Sequence, residues 1–203
     1  MSLTGTDGSS RCGPPSRVYL FSLAVALVCL GGFYWRERAL GVSGDSVPDA
    51  RPEGYQSADL EAFFQSVKAG PWGAKGASVY AATEVTIDFA FPLAYAGLIG
   101  CILVALYGRC VGSWLVLVAV AIVGADWTEN VALAGIGLSP DPTHLTPEYL
   151  QWATVATTAT VVKWKLSVVA SGLIVLGVPV CVVRLIVGRI RAKKRAAAKP
   201  GVT

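Results

Sequence analysis

Four long apolar runs constrain the fold of this chain more than any other feature. They cover residues 18–35, 83–107, 111–138 and 153–184. About 20 apolar residues suffice for a helix to cross the hydrocarbon core of a bilayer. Only 15% of the 203 residues are charged, against about 25% in soluble domains. The sequence therefore predicts an all-α membrane protein in which residues 17–188 form a bundle of four transmembrane helices.

The first run has two interpretations. Residues 1–16 are rich in Gly, Ser and Pro, which predicts a disordered cytoplasmic N-terminus. Arg11 and Arg17 resemble the basic flank of a cleaved signal peptide. However, the run is long for a signal core and ends in the aromatic triplet at residues 33–35, just before Arg36. These features favour an uncleaved first span.

The segment 36–81 is predicted to be an outer loop that carries one amphipathic helix over residues 57–68. Its apolar residues recur at i, i+3, i+4 and i+7, which is the period of one helix face. They are Leu60, Phe63, Phe64 and Val67. We expect this helix to lie at the membrane interface or over the mouth of the bundle.

Basic residues predict the orientation in the plasma (inner) membrane. The tail 189–203 is densely basic, Arg109 lies in the turn between spans two and three, and the loop 139–152 has no Lys or Arg. Since Lys and Arg mark cytoplasmic loops, both termini are predicted to be cytoplasmic. A basic run is also compatible with nucleic acid. After a spanning helix, contact with anionic membrane lipid is the better explanation, and no nucleic-acid partner is expected.

Cysteine and histidine usage excludes several classes of chemistry. The five cysteines include no CxxC pair and none in the predicted outer loops, so no structural disulfide or thiol oxidoreductase site is expected. His144 is the single histidine, and haem or di-iron sites in helix bundles commonly need more. The sequence predicts no cofactor and no metal site.

Charged residues inside the apolar runs are the candidate functional residues. Asp88 lies in span two, Asp126 and Glu129 in span three, and Lys163 in helix four. An ionised group at a helix centre costs about 2.5–3.5 kcal/mol, so such residues face the bundle interior. At about 1.5 Å per residue, Asp88, Glu129 and Lys163 lie about 27–31 Å from the inner ends of their helices. The sequence therefore predicts one charged layer in the outer leaflet.

Helical periodicity brings further residues to this layer as candidate ligand-binding groups. They are Tyr95, Asn130, Trp127, Trp164, Thr160 and Ser167. Lys165 falls off the polar stripe of helix four and is predicted to snorkel. Pro92 has no N–H, so it frees the carbonyl of Asp88 to line a polar cavity. Three acids face one inward lysine, so at least one acid is expected to be protonated or to reach water.

The patterns Asp88-x-x-x-Pro92-x-x-Tyr95 and Ala125-Asp126-x-x-Glu129-Asn130 resemble those of a family of small, uncharacterised bacterial four-helix membrane proteins. The resemblance covers at most one third of the chain. It implies the fold and a common role for these residues, and it supplies no activity. The chain is also loosely similar to sterol isomerase-type bundles, which use buried acids and aromatic residues on lipid substrates.

Three functions remain open at this stage, and the sequence does not decide whether the chain is an enzyme. In the first, the protein binds or transforms a small lipid-like amphiphile, with Asp88 and Glu129 as acid and base, Asp126 tuning them, and Lys163 holding an anionic group. The second is proton- or cation-coupled transport, and the third is a non-catalytic accessory or assembly role. Ion pairing that only holds the helices together would also explain the charges.

Overall fold

The computed structural model describes residues 16–197, which are almost entirely helical. In chain order the α-helices are α1 (Ser16–Leu40), α2 (Ser57–Ala69), α3 (Gly76–Glu84), α4 (Ile87–Tyr107), α5 (Arg109–Gly137) and α6 (Pro147–Ala197). Short 3-10 turns lie at Gly44–Ser46, Pro48–Ala50 and Gly73–Lys75. Within residues 16–197 there is no β-strand, which confirms the all-α prediction.

Four stretches of helix are long and apolar enough to cross a membrane, as the sequence predicted. They are Arg17–Leu40, Gly73–Tyr107, Arg109–Gly137 and Pro147–Lys194. The predicted disordered segment 1–16, except for Ser16, lies outside the described residues, and so do residues 198–203 of the predicted basic tail.

The first helix is longer than its apolar run. α1 continues through Arg36 to Leu40, so the first outer loop begins five residues later than predicted. Arg36 is buried, with 4% of its surface exposed, and Leu40 is enclosed in the core. The prediction that Arg36 belongs to the outer loop is therefore wrong: its charge is paired inside the protein, and the helix has no reason to end before it.

The second apolar stretch is broken near its N-terminal end. α3 ends at Glu84 and α4 begins at Ile87, whereas the sequence predicted one span from residue 83. The Thr86 hydroxyl donates a hydrogen bond to the carbonyl of Ala82, and the Thr86 N–H bonds to Thr83 O instead. The Thr86 backbone leaves the helical conformation, with φ of −120° and ψ of −79°, and the α-helical ladder is interrupted there.

α5 is the central helix of the bundle. It packs along both α4 and α6, while α1 packs against α4. α1 and α6 have at most marginal contact, so they stand apart with α4 between them. A single residue, Gly108 with φ of +80°, joins α4 to α5. Glycine adopts this left-handed conformation without steric cost, which permits so short a connection.

The predicted amphipathic helix is present as α2 and packs over the end of the bundle where α5 ends and α6 begins. Its four predicted apolar residues are all buried: Leu60, Phe63, Phe64 and Val67. Phe63 and Phe64 make edge-to-face contacts with the buried ring of Tyr80 in α3, at centroid distances of 4.9 and 5.7 Å. The same core contains Leu133 of α5 and Ala156 of α6. α2 thus covers the ends of three helices.

The carbonyl that Pro92 frees is taken by a neighbouring helix. In a regular helix the N–H of residue 92 would bond to the carbonyl of residue 88. Pro92 has no N–H, and the side-chain amide of Asn130 donates to Asp88 O at 2.8 Å. Asn130 is completely buried. The sequence predicted that this carbonyl would line a polar cavity. Instead, it accepts the Asn130 hydrogen bond and so connects α4 to α5.

This tie predicts a coupling between the two residues. Asn130→Ala should destabilise the protein by about 1–3 kcal/mol, because it leaves a buried carbonyl without a partner. In a Pro92→Ala background the new N–H bonds to the same carbonyl, so Asn130→Ala should cost clearly less. Unfolding in mixed micelles, followed by circular dichroism for the four proteins of the cycle, measures the difference. Equal costs in both backgrounds would show that the carbonyl is not what Asn130 satisfies.

Candidate functional site

Arg36 holds a cluster of three carboxylates near the end of the bundle that α2 covers. Its Nη1 lies 2.8 Å from Glu84 Oε1 and 3.1 Å from Asp88 Oδ2. Its Nη2 lies 3.7 Å from Asp49 Oδ2 in the turn Pro48–Ala50. Glu84 is fully buried and Asp88 nearly so. One guanidinium therefore joins α1 to α3, to α4 and to the outer loop.

Lys163 holds a second cluster, between α5 and α6. Its Nζ lies 3.1 Å from Asp126 Oδ1 and 2.5 Å from Glu129 Oε2. The Tyr95 hydroxyl donates to Asp126 Oδ2 at 2.6 Å. The Thr160 hydroxyl donates a short hydrogen bond to Glu129 Oε1. A single α6 lysine thus forms ion pairs with two acids one turn apart on α5.

The loop before α2 closes over this second cluster. The Tyr55 hydroxyl lies 3.5 Å from Thr160 Oγ1. The Tyr55 N–H donates to Thr157 Oγ1 at 2.8 Å, and the Thr157 hydroxyl in turn donates to Tyr55 O at 2.7 Å. Burial raises the pKa of the Tyr55 phenol, so the hydroxyl stays neutral and remains a hydrogen-bond donor. The loop thereby covers Thr160 and its acid partner, Glu129.

The two clusters adjoin and form one charged layer, while the outer-leaflet depth that the sequence predicts for it stays a prediction. Asn130, next to Glu129 in α5, bonds to the backbone of Asp88 in the first cluster. The layer contains five acids and two cations. The acids are Asp49, Glu84, Asp88, Asp126 and Glu129, and the cations are Arg36 and Lys163. With every group ionised, the acids would outnumber the cations by three.

A partly open cavity of about 340 Å³ lies between α1 and α6, beside both clusters. Its charged and polar lining consists of Asp49, Asp88, Asp126, Lys163, Tyr95 and Ser167. Its apolar lining consists of Phe33, Ala50, Phe91, Ile99 and Trp164. This volume lies within the range of small-molecule sites, about 300–1,000 Å³. The cavity therefore places acids, one amine and aromatic walls around a space that a small molecule can occupy.

Six of the ten predicted site residues line this cavity, and four do not. Glu129, Asn130 and Thr160 are completely enclosed behind it. Trp127 stacks on Phe89 with ring centroids 4.5 Å apart, and its indole N–H donates to Phe89 O at 2.9 Å. Trp127 therefore fastens α5 to α4 and has no surface toward the cavity. The position of Glu129 also separates it from any ligand, which weakens its predicted role as a catalytic base.

Four residues of the layer were not among the predicted site residues. Arg36 was assigned to the outer loop because a basic residue after an apolar run usually marks its end. Asp49 and Tyr55 lie in a loop without helical periodicity, so no pattern connected them to the bundle. Glu84 was recognisable, since it lies one turn before Asp88 on the same helix face.

Three of the acids have the spacing of a metal site, but a guanidinium lies among them. Three carboxylate oxygens lie within 4.8 Å of one another, one each from Asp49, Glu84 and Asp88. Arg36 contacts all three groups. Because a metal ion held by all three carboxylates would have to displace the Arg36 guanidinium from among them, the spacing is no argument for a bound metal.

Removal of the Lys163 amine should strongly destabilise the protein. Lys163→Met leaves two buried carboxylates without their cation, and loss of one partner from a buried ion pair costs about 3–5 kcal/mol. Lys165→Met is the matched control, because Lys165 is exposed and surface changes usually lie within about 0.5 kcal/mol. Thermal unfolding in detergent compares the two variants with the parent. Similar midpoints for both would contradict the assignment of Lys163 as a structural cation.

Searches of protein-family models, of curated proteins and of solved structures find no significant match to this chain.

Proposed function

We propose that this chain is a multi-pass protein of the plasma membrane that binds the polar head of a lipid-like amphiphile in the cavity between α1 and α6. The observation that carries the proposal is the mixed lining of that cavity. Carboxylates and an amine lie at one side, and Phe33, Phe91, Ile99 and Trp164 supply apolar surface beside them. Sites of this kind orient a ligand by a few polar groups and bind it largely by apolar contact.

The position of the cavity supports entry from the lipid phase. α1 and α6 stand apart on the two sides of α4, so no helix of the described chain closes the space between them. With both termini in the cytoplasm, the charged layer lies at outer-leaflet depth, about 30 Å from the inner helix ends. An amphiphile in that leaflet has its head at the height of the acids and its chain alongside the apolar wall.

Binding is better supported than acid–base catalysis or transport. Glu129 is enclosed, so only Asp88 and Asp126 of the predicted acid–base residues reach the cavity. Between the charged layer and the inner helix ends, the buried side chains include Leu103, Ala119 and Ile122. Apolar packing of this kind offers no polar route along which a proton or a metal ion would cross the bundle.

Filling the cavity should displace the amphiphile. Ser167→Trp places a large ring in the lined space, whereas Ser171→Trp, one helical turn further along α6, lies on the exposed surface. Both proteins are purified in lipid nanodiscs, and bound amphiphiles are identified by native mass spectrometry. We expect a bound species in the parent and in Ser171→Trp, and its loss in Ser167→Trp. Equal occupancy in all three would exclude the cavity as the binding site.

The orientation has its own test. The exposed basic residues at the end of α6, among them Arg189, Arg191 and Lys193, should hold the C-terminus in the cytoplasm. Alkaline phosphatase fused after Thr203 should be inactive, and phosphatase fused after Pro142 in the opposite loop should be active. The reverse pattern would place the charged layer in the inner leaflet and contradict the proposed depth.

A further inference from the structure

The neutral hydrogen-bond donors that line the cavity already bond to acceptors of the protein, whereas some acceptors in the lining have no donor among the described residues. The Tyr95 hydroxyl donates to Asp126, and the Ser167 hydroxyl donates to the carbonyl of Lys163 at 2.8 Å. The indole N–H of Trp164 donates to Asp49 O at 3.4 Å. A ligand that needs hydrogen-bond donors from the protein therefore finds the neutral donors of this cavity already engaged.

Lys163 does not present a free positive charge to the cavity. It is in contact with Asp126 and with Glu129, and those two acids together exceed its single charge. An anionic ligand would have to compete with both carboxylates for the ammonium and would lie near three acids of the lining. The prediction that Lys163 holds an anionic group of the ligand is therefore not favoured by the geometry.

Asp88 is the acceptor with capacity left. Its Oδ2 is 3.1 Å from Arg36, while its Oδ1 accepts no hydrogen bond from any residue of the described chain. Only 3% of the Asp88 surface is exposed, and the residue lines the cavity. The carboxylate of Asp49, also in the lining, has a single ion pair, at 3.7 Å. Asp88 Oδ1 is not among the fully enclosed oxygens of the layer, so it is open to accept a hydrogen bond from a ligand in the cavity. A hydrogen bond to a charged group is stronger than one between neutral groups.

The walls around these acceptors suit a cation. Phe91 and Trp164 line the cavity together with Phe33 and Tyr95. Aromatic faces attract an ammonium group, and the attraction increases when the group is removed from water. The protein itself uses this interaction nearby, because the Arg36 guanidinium lies 5.0 Å from the centroid of the Phe33 ring.

From these observations we infer that the head of the amphiphile is a protonated amine, which donates N–H hydrogen bonds to Asp88 and Asp49 against the aromatic wall of Phe91 and Trp164. This inference rests on the proposed function and names its ligand class. A protonated amine brings both of the things that the cavity lacks, namely free donors and positive charge. It also offsets part of the excess of three acids in the layer.

Competition among amphiphiles of equal chain length tests the inference on the unmodified protein. A photoreactive long-chain amine is crosslinked to the protein in phosphatidylcholine nanodiscs, and the labelled peptides are identified by mass spectrometry. Dodecylamine, dodecyltrimethylammonium, dodecanol and dodecyl sulfate are added at equal mole fractions in the membrane. We expect dodecylamine to compete best and the trimethylammonium compound, which has the charge but no N–H, to compete less. The alcohol and the sulfate should compete least.

Substitutions give a second measurement. Asp88→Asn should lower the affinity for dodecylamine about tenfold or more, the loss expected for one hydrogen bond to a charged group. Asp88→Glu should retain most of the affinity. Glu148→Gln removes a carboxylate from the exposed start of α6 and should change nothing. If Asp88→Asn does not fold, the competition series on the unmodified protein still tests whether the head of the ligand is a protonated amine.

The failures of the two proposals are distinguishable. Labelling of cavity peptides that dodecanol or dodecyl sulfate suppresses as well as dodecylamine would overturn the amine and leave the amphiphile site standing. Equal dodecylamine affinity in Asp88→Asn and in the parent would also overturn the amine. Labelling outside the cavity that Ser167→Trp leaves unchanged would overturn the proposed function itself.

Discussion

The arrangement of the helices depends on ion pairing of the charged side chains that are buried away from water. A buried ion without a partner costs several kcal/mol, and in this bundle two cations pair with five acids. Arg36 joins α1 to α3, α4 and the outer loop, while Lys163 joins α6 to α5. Asn130 completes the set by tying α5 to α4 through the Asp88 carbonyl. Every apolar helix is thereby connected to the charged layer.

The residues of the charged layer fall into two groups. Some bond only to groups of the protein, and others can still accept a hydrogen bond from a ligand. Glu129 and Trp127 have partners on neighbouring helices and no access to the cavity, so their contribution is to hold α5 in place. Asp88 and Asp49 belong to the same network and yet keep accepting capacity beside an aromatic wall. A residue type that is costly in a membrane is therefore a sign of function only where its hydrogen bonds are incomplete.

Apolar run length and helix period were sufficient to predict four helices long enough to span a membrane, the helix α2, and the meeting of charged residues from several helices. They succeeded because each element obeys a local rule, as the buried face of Leu60, Phe63 and Phe64 illustrates. Three features were not predictable in this way. Arg36 looks like the end of a run unless its partners are known, and Asp49 reaches the layer through an irregular loop. The interruption at Thr86, where the backbone leaves the helical conformation, has no signal in an otherwise apolar run.

The one-residue connection at Gly108 has a consequence for biogenesis. Helices joined so closely cannot be integrated into a bilayer independently, so α4 and α5 are expected to leave the translocation machinery together as a hairpin. In that hairpin Asn130 already reaches the carbonyl exposed by Pro92, and Tyr95 already reaches Asp126. The pair thus conceals part of its own polarity from lipid tails before the lysine of the last helix has been synthesised.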